Sequence, residues 1–267
     1  MNSKIIIAID AMGGENAPCK NIEGVSLFLK KNKKTNDVFF NLFGNENLIK
    51  KEISKYKISN DTYKIFPTSS IVSDEETPLT AIKNSKDSSM WNSINSQVVS
   101  NSNITLSAGN TGVLFVISRM LLKTIESVSK PALAGLWPNK QNMNVVLDLG
   151  ANVECDEKNL VDFSEMGAAL HKALFPEETP KVALLNIGSE EIKGTESLKK
   201  AYAKLKNISV HGDFEFNGFI EGNKITNGES NVIVTDGFTG NIALKTAEGT
   251  AKFITDSLKK SLTSTLL

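Results

Sequence analysis

A short strand that runs into a glycine-containing turn and then into a helix constrains the fold of this chain more than any other feature. Residues 232–235 are β-branched and predict a buried strand, Asp236 and Gly237 predict a turn, and Thr239 opens a long helical pattern. The first turn of a helix carries N–H groups without intrahelical acceptors and the positive end of the helix dipole. The segment therefore predicts a site for an anion such as phosphate.

The same order of strand, glycine-rich turn and helix occurs at residues 104–112. Gly109 and Gly112 allow the backbone to approach a ligand closely, and Asn110 and Thr111 add neutral hydrogen-bond donors. These residue types also build an ordinary helix cap, which is the alternative interpretation. Two such turns on one sheet favour a crevice that handles phosphate, with Ser107 and Gly240 beside it.

Strand and helix patterns alternate along the chain, which predicts an α/β fold with a parallel sheet covered on both faces. In such sheets ligands bind beyond the carboxyl ends of the strands, where the glycine-rich turns occur. The predicted strands are residues 4–9, 38–43, 62–66, 104–107, 132–136, 145–149, 182–187, 208–211 and 232–235. Helices are predicted from residue 18 to about 31, from residues 45 and 77, and over 88–100, 113–125, 160–175, 197–205 and 242–262.

Two further turns allow a functional and a structural interpretation. Asp10 is followed by Gly13 and Gly14, but the full dinucleotide fingerprint is absent, so Asp10 either orients a ligand or caps the turn. Asp148 and Asn152 follow another strand. A carboxylate there either binds a cation or orients a neighbour, or it accepts hydrogen bonds from the N–H groups of its own loop.

The remaining candidates are weaker on pattern alone. Asn186 and Gly188 end a strand and Lys193 follows, as a phosphate contact or as part of a solvated loop. His211 ends a predicted strand and is a better candidate base than His171, which lies in a helix rich in Ala and Leu. No arrangement typical of a Ser-His-Asp triad is present.

Composition excludes several classes of protein. Lys+Arg and Asp+Glu are 30 each among 267 residues, which gives no basic surplus for nucleic acid. The two cysteines do not predict a disulfide framework or a zinc site, and the scattered acids predict no metal. No signal peptide or membrane-spanning run is predicted, so the cytoplasm is the expected compartment. The apolar positions near the end of the last helix predict a core, a subunit interface or a membrane surface.

Several runs of the sequence resemble the bacterial phosphate acyltransferases of phospholipid synthesis, the PlsX family. They are residues 7–18, 86–90, 107–112, 147–153, 184–188 and 234–241, in the family's order. The resemblance implies a three-layer, Rossmann-like α/β/α fold over residues 1–267 as a single domain. It implies transfer of a fatty acyl group from acyl carrier protein to inorganic phosphate, with no cofactor. It also implies a homodimer at the membrane surface that supplies acyl phosphate to a membrane glycerol-3-phosphate acyltransferase.

Two alternatives stay open beside this resemblance. One is a phosphotransacetylase-like enzyme that uses coenzyme A thioesters. The other is an inactive fragment that binds acyl carrier protein or membrane, because the family usually continues beyond residue 267, and Glu15, Ser189 and Asp213 depart from its usual residues.

The resemblance also implies roles for residues in the turns. Thioester phosphorolysis needs positioning and stabilisation of an oxyanion more than acid–base help. Asp10, Asp148 and Asp236 are expected to orient loops or a phosphate proton, and Lys193 to neutralise product charge. A covalent intermediate on Cys155 is the alternative. A larger set of residues is expected to contact phosphate or the oxyanion, or to line the site. The set comprises Asn110, Asn241, Gly13, Gly14, Ser107, Gly109, Thr111, Gly112, Asn152, Asn186, Gly188, Gly237, Thr239 and Gly240.

Overall fold

The computed structural model describes residues 4–32, 37–73, 75–210 and 212–264. The chain divides into two compact units, unit 1 (Met1–Thr124) and unit 2 (Ile125–Leu267). Each unit has its own sheet and its own hydrophobic core. The prediction that residues 1–267 behave as a single domain stays a prediction.

Unit 1 is built on a four-stranded parallel sheet. Its strands are β1 (Ile5–Asp10), β2 (Val38–Gly44), β3 (Tyr63–Pro67) and β4 (Ile104–Leu106). Its helices are α1 (Cys19–Lys31), α2 (Glu46–Tyr56), α3 (Pro78–Asn84), α4 (Ser89–Val98) and α5 (Thr111–Leu122). The strand order is β3-β2-β1-β4, so that β4 lies at an edge beside β1.

Helices cover both faces of the unit 1 sheet. On one face Ile9 and Leu42 pack with Ile22 of α1 and Ile49 of α2. On the other face α4 packs against β1 and β2, and its Ile94 joins a buried cluster with α5. Successive strand residues point to opposite faces, so the nearly continuous apolar sequence of β1 serves both helix layers.

Unit 2 is built on a five-stranded mixed sheet. Its strands are β5 (Ala134–Pro138), β6 (Met143–Leu147), β7 (Lys181–Asn186), β8 (Glu215–Glu221) and β9 (Val232–Val234). Its helices are α6 (Glu157–Leu174), α7 (Glu196–Ile208) and α8 (Gly237–Ser264), with a 3-10 helix at Gly222–Asn227. The strand order is β5-β6-β9-β7-β8, and every neighbouring pair is parallel except β5 with β6.

The central strand of unit 2 is buried on both faces. Val232 and Val234 pack into a cluster with Phe163 of α6. Ile233 packs on the opposite face, where Leu244 of α8 contributes. Such a strand reads as an unbroken apolar run rather than an alternating one. The predicted α/β fold with a mostly parallel sheet covered on both faces is confirmed in both units.

Two predictions about the sheets are wrong. The strand-turn-helix segments at 104–112 and 232–241 do not share a sheet, because β4 belongs to unit 1 and β9 to unit 2. The strand predicted at residues 208–211 is also wrong, because α7 continues through Ile208. Ala201, Leu205 and Ile208 recur at helical spacing and pack on one core cluster.

Candidate active site

In unit 1 the carboxyl ends of β1 and β4 are joined through side chains. The Ser107 hydroxyl donates to Oδ2 of Asp10 at 2.7 Å, and the N–H of Gly109 donates to Ser107 Oγ at 3.1 Å. The N–H of Met12 donates to Oδ1 of Asp10 at 3.3 Å. Asp10 is almost fully buried. Asp10 therefore fixes the turn after each of the two strands, which is the structural alternative that the sequence left open.

The turn after β1 requires glycine because the two turns approach each other closely. A Cβ atom at Gly13 would lie 2.5 Å from Asp10 Oδ2 and 2.9 Å from the backbone nitrogen of Gly109. Gly14 has φ +88°, and a Cβ there would lie 2.6 Å from the carbonyl oxygen of Ala108. These glycines let the backbone of both turns form one corner. The predicted close approach of Gly109 and Gly112 to a ligand stays a prediction.

Asn21 is a member of this corner that the sequence analysis missed. Its Nδ2 lies 2.9 Å from the carbonyl oxygen of Ala11 and 3.0 Å from that of Gly13, and it also faces the carbonyl of Asp10 at 3.4 Å. The side chain therefore holds the turn from the first residues of α1. An asparagine near a helix start, after a glycine turn, was the signal available.

The first turn of α5 is exposed and has a neutral cap. Asn110 Oδ1 accepts from the N–H of Val113 at 3.1 Å, and its Nδ2 donates to the carbonyl of Glu76 at 3.0 Å. Thr111 and Gly112 are exposed, and their N–H groups belong to the first turn, where no intrahelical acceptor exists. The side chain of Asn110 thus positions the helix start, and backbone N–H groups remain as the donors for an anion.

In unit 2, Asp148 lies fully buried after β6 and organises its own loop. Its Oδ1 accepts from the N–H groups of Leu133, Gly150 and Ala151 at 3.1, 3.1 and 2.9 Å. Its Oδ2 accepts from the N–H and from the Nδ2 of Asn152, both at 2.8 Å. With five donors, the carboxylate has no capacity left for a ligand.

The start of α8 is satisfied within unit 2. The helix begins at Gly237, two residues before the predicted Thr239. Asp236 accepts from the N–H of Thr239 at 2.8 Å and from its hydroxyl at 2.9 Å. The N–H groups of Gly237 and Gly240 donate to the carbonyls of Asn152 and Asp236 at 2.7 and 2.9 Å. The carboxylate of Asp236 places negative charge where an anion was expected.

Close packing explains the glycine at position 240. A Cβ at Gly240 would overlap the carbonyl oxygen of Asp148, and one at Gly237 would lie 2.6 Å from the carbonyl oxygen of Asn152. Asn241 is exposed and its Nδ2 faces the carbonyl of Leu149 at 3.3 Å. The turn after β9 thus packs directly on the turn after β6.

The loop after β7 pairs its own charges. Lys193 Nζ lies 2.8 Å from Glu190 Oε1, and this hydrogen bond raises the pKa of the exposed lysine. Asn186 Nδ2 donates to the carbonyl of Lys193 at 3.0 Å, and its Oδ1 accepts from Ile187 at 2.9 Å. A Cβ at Gly188 would collide with the Lys193 side chain. This geometry supports the alternative of a solvated loop.

Cys155 and His171 are not poised for chemistry. Burial raises the pKa of the Cys155 thiol to about 11, so the thiol is protonated near neutral pH. His171 is fully buried, with Nε2 3.4 Å from Glu178 Oε2, and burial lowers its pKa. His211 lies outside the described residues.

Two features are absent from the described part of the chain. Within residues 4–32, 37–73, 75–210 and 212–264, no group of three or more His, Cys, Asp and Glu side chains is placed to hold a metal ion. In the same ranges no helix is both long and apolar enough to cross a bilayer.

Two solved structures share the fold of this chain. The EutD phosphotransacetylase from Staphylococcus aureus matches with a TM-score of 0.64 at 14% identity, over 94% of this chain and 84% of that one. A phosphotransacetylase from Streptococcus pyogenes matches with a TM-score of 0.65 at 12% identity, over 93% of this chain and 82% of that one. At these identities the likeness is one of fold.

Sequence comparison identifies much nearer relatives. The family described as "Fatty acid synthesis protein" matches residues 5–267. The phosphate acyltransferase of Pelagibacter ubique is 54% identical over 266 residues, which cover 99% of this chain and 78% of the relative. That of Caulobacter vibrioides is 39% identical over 264 residues, which cover 99% and 72%. The chain therefore belongs to the fatty acid synthesis protein family that includes the bacterial phosphate acyltransferases, as its sequence motifs predicted.

Proposed function

We propose that this chain transfers a fatty acyl group from acyl carrier protein to inorganic phosphate and so provides acyl phosphate for phospholipid synthesis. The observation that carries the proposal is the 54% identity with a phosphate acyltransferase over 99% of the chain. This identity spans the strand-end turns of both units. The corner around Asp10 and Ser107, with the first turn of α5, supports the proposal because it combines a rigid frame with exposed neutral donors.

The reaction needs no nucleophile from the protein. A phosphate oxygen of HPO₄²⁻ attacks the thioester carbonyl, the C–S bond breaks, and the phosphate proton passes to the departing thiolate to give the free thiol. The acyl group leaves as acyl phosphate. Phosphate is already anionic and the thiolate is a good leaving group, so positioning and oxyanion stabilisation account for most of the catalysis.

Within unit 1, the N–H groups of Thr111 and Gly112 bind phosphate at the start of α5. Asn110 positions that helix start through its contacts to Val113 and Glu76. Asp10 holds the Ser107 hydroxyl, and Gly13, Gly14 and Gly109 permit the close backbone approach. The neutral cap favours this helix start for phosphate, because the capping side chain of Asn110 carries no charge that competes with the ligand.

Unit 2, taken by itself, carries the other residues that are proposed to serve the reaction. Asp148, Asn152, Asp236, Gly237 and Gly240 hold its two adjoining turns in one conformation. The exposed side chains of Thr239 and Asn241 on those turns are proposed to contact substrate, as is the exposed Lys193 after β7. Asn186 and Gly188 are buried and are proposed to position the loop that carries Lys193.

The test is phosphate-dependent consumption of palmitoyl-acyl carrier protein, with acyl phosphate trapped by hydroxylamine as the hydroxamate. We expect hydroxamate only when phosphate is present. Palmitoyl-coenzyme A, offered in parallel, separates this activity from a phosphotransacetylase-like one. Binding of acyl carrier protein to a folded chain, without any phosphate-dependent product, would instead indicate the inactive fragment.

The family resemblance also leads us to place the protein at the cytoplasmic membrane surface as a homodimer. An exposed apolar row on α8 supports contact with a bilayer, and Lys259 and Lys260 lie beside it. The product is used there by a membrane glycerol-3-phosphate acyltransferase. Flotation with anionic vesicles and a native mass measurement test the two statements separately. The row comprises Phe253, Ile254, Leu258 and Leu262.

A further inference from the structure

Unit 1 contains an apolar groove of about 430 Å³ between α1 and the sheet, beside the edge strand β4. This volume lies within the range of about 300–1,000 Å³ that small-molecule sites occupy. The strand register aligns Ile9 of β1 with Leu106 of β4, so both side chains lie on the same face of the sheet. The groove is lined by Ile7, Ile9, Val25, Phe28, Phe40 and Leu106, with polar residues at one part.

The groove is open because α1 does not cover β4. Leu106 is 48% exposed, whereas Ile9 on the neighbouring strand is 7% exposed. Gly24 lines the groove from α1, and a Cβ placed on it meets nothing within 4 Å. A glycine inside a helix costs about 1 kcal/mol relative to alanine. Here it widens the groove where any side chain would narrow it.

The polar part of the groove is the corner of the candidate active site. Asp10, Ser107 and Ala108 line it there, and these residues form the turns that hold the start of α5. The other walls are largely aliphatic and aromatic. This distribution fits an amphiphile with one reactive polar end and a long apolar chain, and it does not fit a compact ion.

We propose that this groove binds the alkyl chain of the acyl substrate, with the thioester carbonyl at the Asp10–Ser107 end. The inference rests on the proposed function and adds to it the location of the acyl chain. Three observations favour this occupant. The groove is continuous with the corner, its walls are apolar, and Gly24 places no side chain in it. The groove then also limits the length of chain that the enzyme accepts.

Gly24→Leu is the variant that tests the proposal, because it fills the groove from a helix position that has room for a side chain. Gly249→Leu is the matched control, since Gly249 lies on α8 and a Cβ there also meets nothing within 4 Å. Binding of the fluorescent fatty acid cis-parinaric acid, displaced by palmitate, reports on the groove without any turnover. The ratio of turnover with palmitoyl- and octanoyl-acyl carrier protein reports on it during the reaction.

We expect Gly24→Leu to bind the fatty acid about tenfold more weakly or worse, because each methylene kept out of the groove costs about fourfold. Palmitoyl turnover should fall more than octanoyl turnover. Gly249→Leu should match the parent protein in both measurements. Circular dichroism checks the fold, and if Gly24→Leu does not fold, Leu106→Gln replaces it as an exposed wall residue.

Equal fatty acid binding and an equal palmitoyl-to-octanoyl ratio in the two leucine variants would overturn the proposal. So would a change of native mass in Gly24→Leu with fatty acid binding intact, because the groove would then hold a second copy of the chain. If no variant gives phosphate-dependent product but Gly24→Leu still weakens fatty acid binding, the groove assignment stands and the proposed function fails.

Discussion

The turns after β4 and β9 look alike in sequence and differ in how their helices begin. Both pass from a short strand through small polar residues into a helix. At α5 the capping side chain is the neutral amide of Asn110, and Thr111 and Gly112 are exposed. At α8 the cap is the carboxylate of Asp236, and three N–H groups of the first turn donate within the unit.

The difference shows that a strand-turn-helix pattern alone does not make an anion site. The charge of the cap decides whether the helix dipole is still available to a ligand, since a carboxylate already complements the positive end. The α5 start is therefore the better candidate for the proposed phosphate site. The α8 start is a structural joint that packs one turn of unit 2 on another.

The largest effect on stability is expected for Asp148, whose loop packs against the start of α8. Asp148→Ala removes the acceptor of five N–H donors in a buried loop, and each unsatisfied buried donor costs about 1–3 kcal/mol. We expect the free energy of unfolding, measured by urea denaturation, to fall by more than about 3 kcal/mol. Asp10→Ala, at the corner in unit 1, loses fewer donors and should cost less. Equal losses would contradict this ranking.

A charge at the α5 cap should affect activity more than stability. Asn110→Asp keeps an acceptor for Val113 but adds a negative charge beside the bound phosphate. We expect kcat/KM for phosphate to fall about tenfold or more, since unit charges about 5 Å apart repel by roughly 3 kcal/mol at an effective dielectric of 20. The lost bond to Glu76 should cost about 1 kcal/mol of stability.

Asn45→Asp is the matched control for this substitution. Asn45 caps α2 in the same unit, with Oδ1 accepting from Leu48 at 3.1 Å. It has the same chemistry but no place in the proposed site. Unchanged phosphate kinetics for Asn110→Asp, or an equal loss for Asn45→Asp, would remove the α5 start as the phosphate site.

A substitution of the capping side chain of α8 should have a smaller effect than Asn110→Asp has at α5. In Asp236→Asn only one side-chain oxygen is left to accept the two hydrogen bonds from Thr239. The substitution also removes the favourable negative charge at the helix start. We expect a loss of about 0.5–1 kcal/mol in the free energy of unfolding, with little change in the KM for phosphate. A clear decrease in that KM would show that phosphate approaches α8 and that the carboxylate repels it.

The smallest effect is expected for Cys155, which lies after the turn that Asp148 organises. Because its pKa is about 11, the thiol is largely protonated from pH 7 to 9, and alkylation should be slow there and accelerate about tenfold per pH unit until the pH approaches 11. Cys155→Ala should retain full phosphate-dependent turnover. Complete loss of hydroxamate from a folded Cys155→Ala protein would restore the covalent alternative.

Strands that are buried on both faces could be predicted from the sequence. The β-branched run of β9 predicts a strand directly, because it contains no polar interruption. By contrast, β8 was missed because polar residues alternate along it and Gly218 interrupts it at φ +77°. The spacing of Leu205 and Ile208 fits a helix, whereas the alternation of apolar and polar residues at 208–211 predicts a strand.

The positions of the turns at the strand ends were predictable, and the partners of their polar side chains were not. Turns at strand ends can be read from glycine, and the glycines at 13, 14 and 240 do permit close approach. Whether Asn, Asp, Ser or Thr in such a turn contacts a ligand or its own backbone depends on geometry within a few tenths of an ångström. Asp148 and Asp236 accept hydrogen bonds from backbone N–H groups. Asn21 donates to a backbone carbonyl, and its only sequence signal is its place near a helix start after a glycine turn.

The five donors on Asp148 also set how often its loop opens. The N–H groups of Gly150, Ala151 and Asn152 exchange with water only after each has left the buried carboxylate. Although Gly150 is exposed at the surface, its amide hydrogen should exchange with solvent as slowly as those of the sheet beside it. A surface turn would then belong to the most slowly opening part of unit 2, and the residues around it would keep one conformation while substrates come and go.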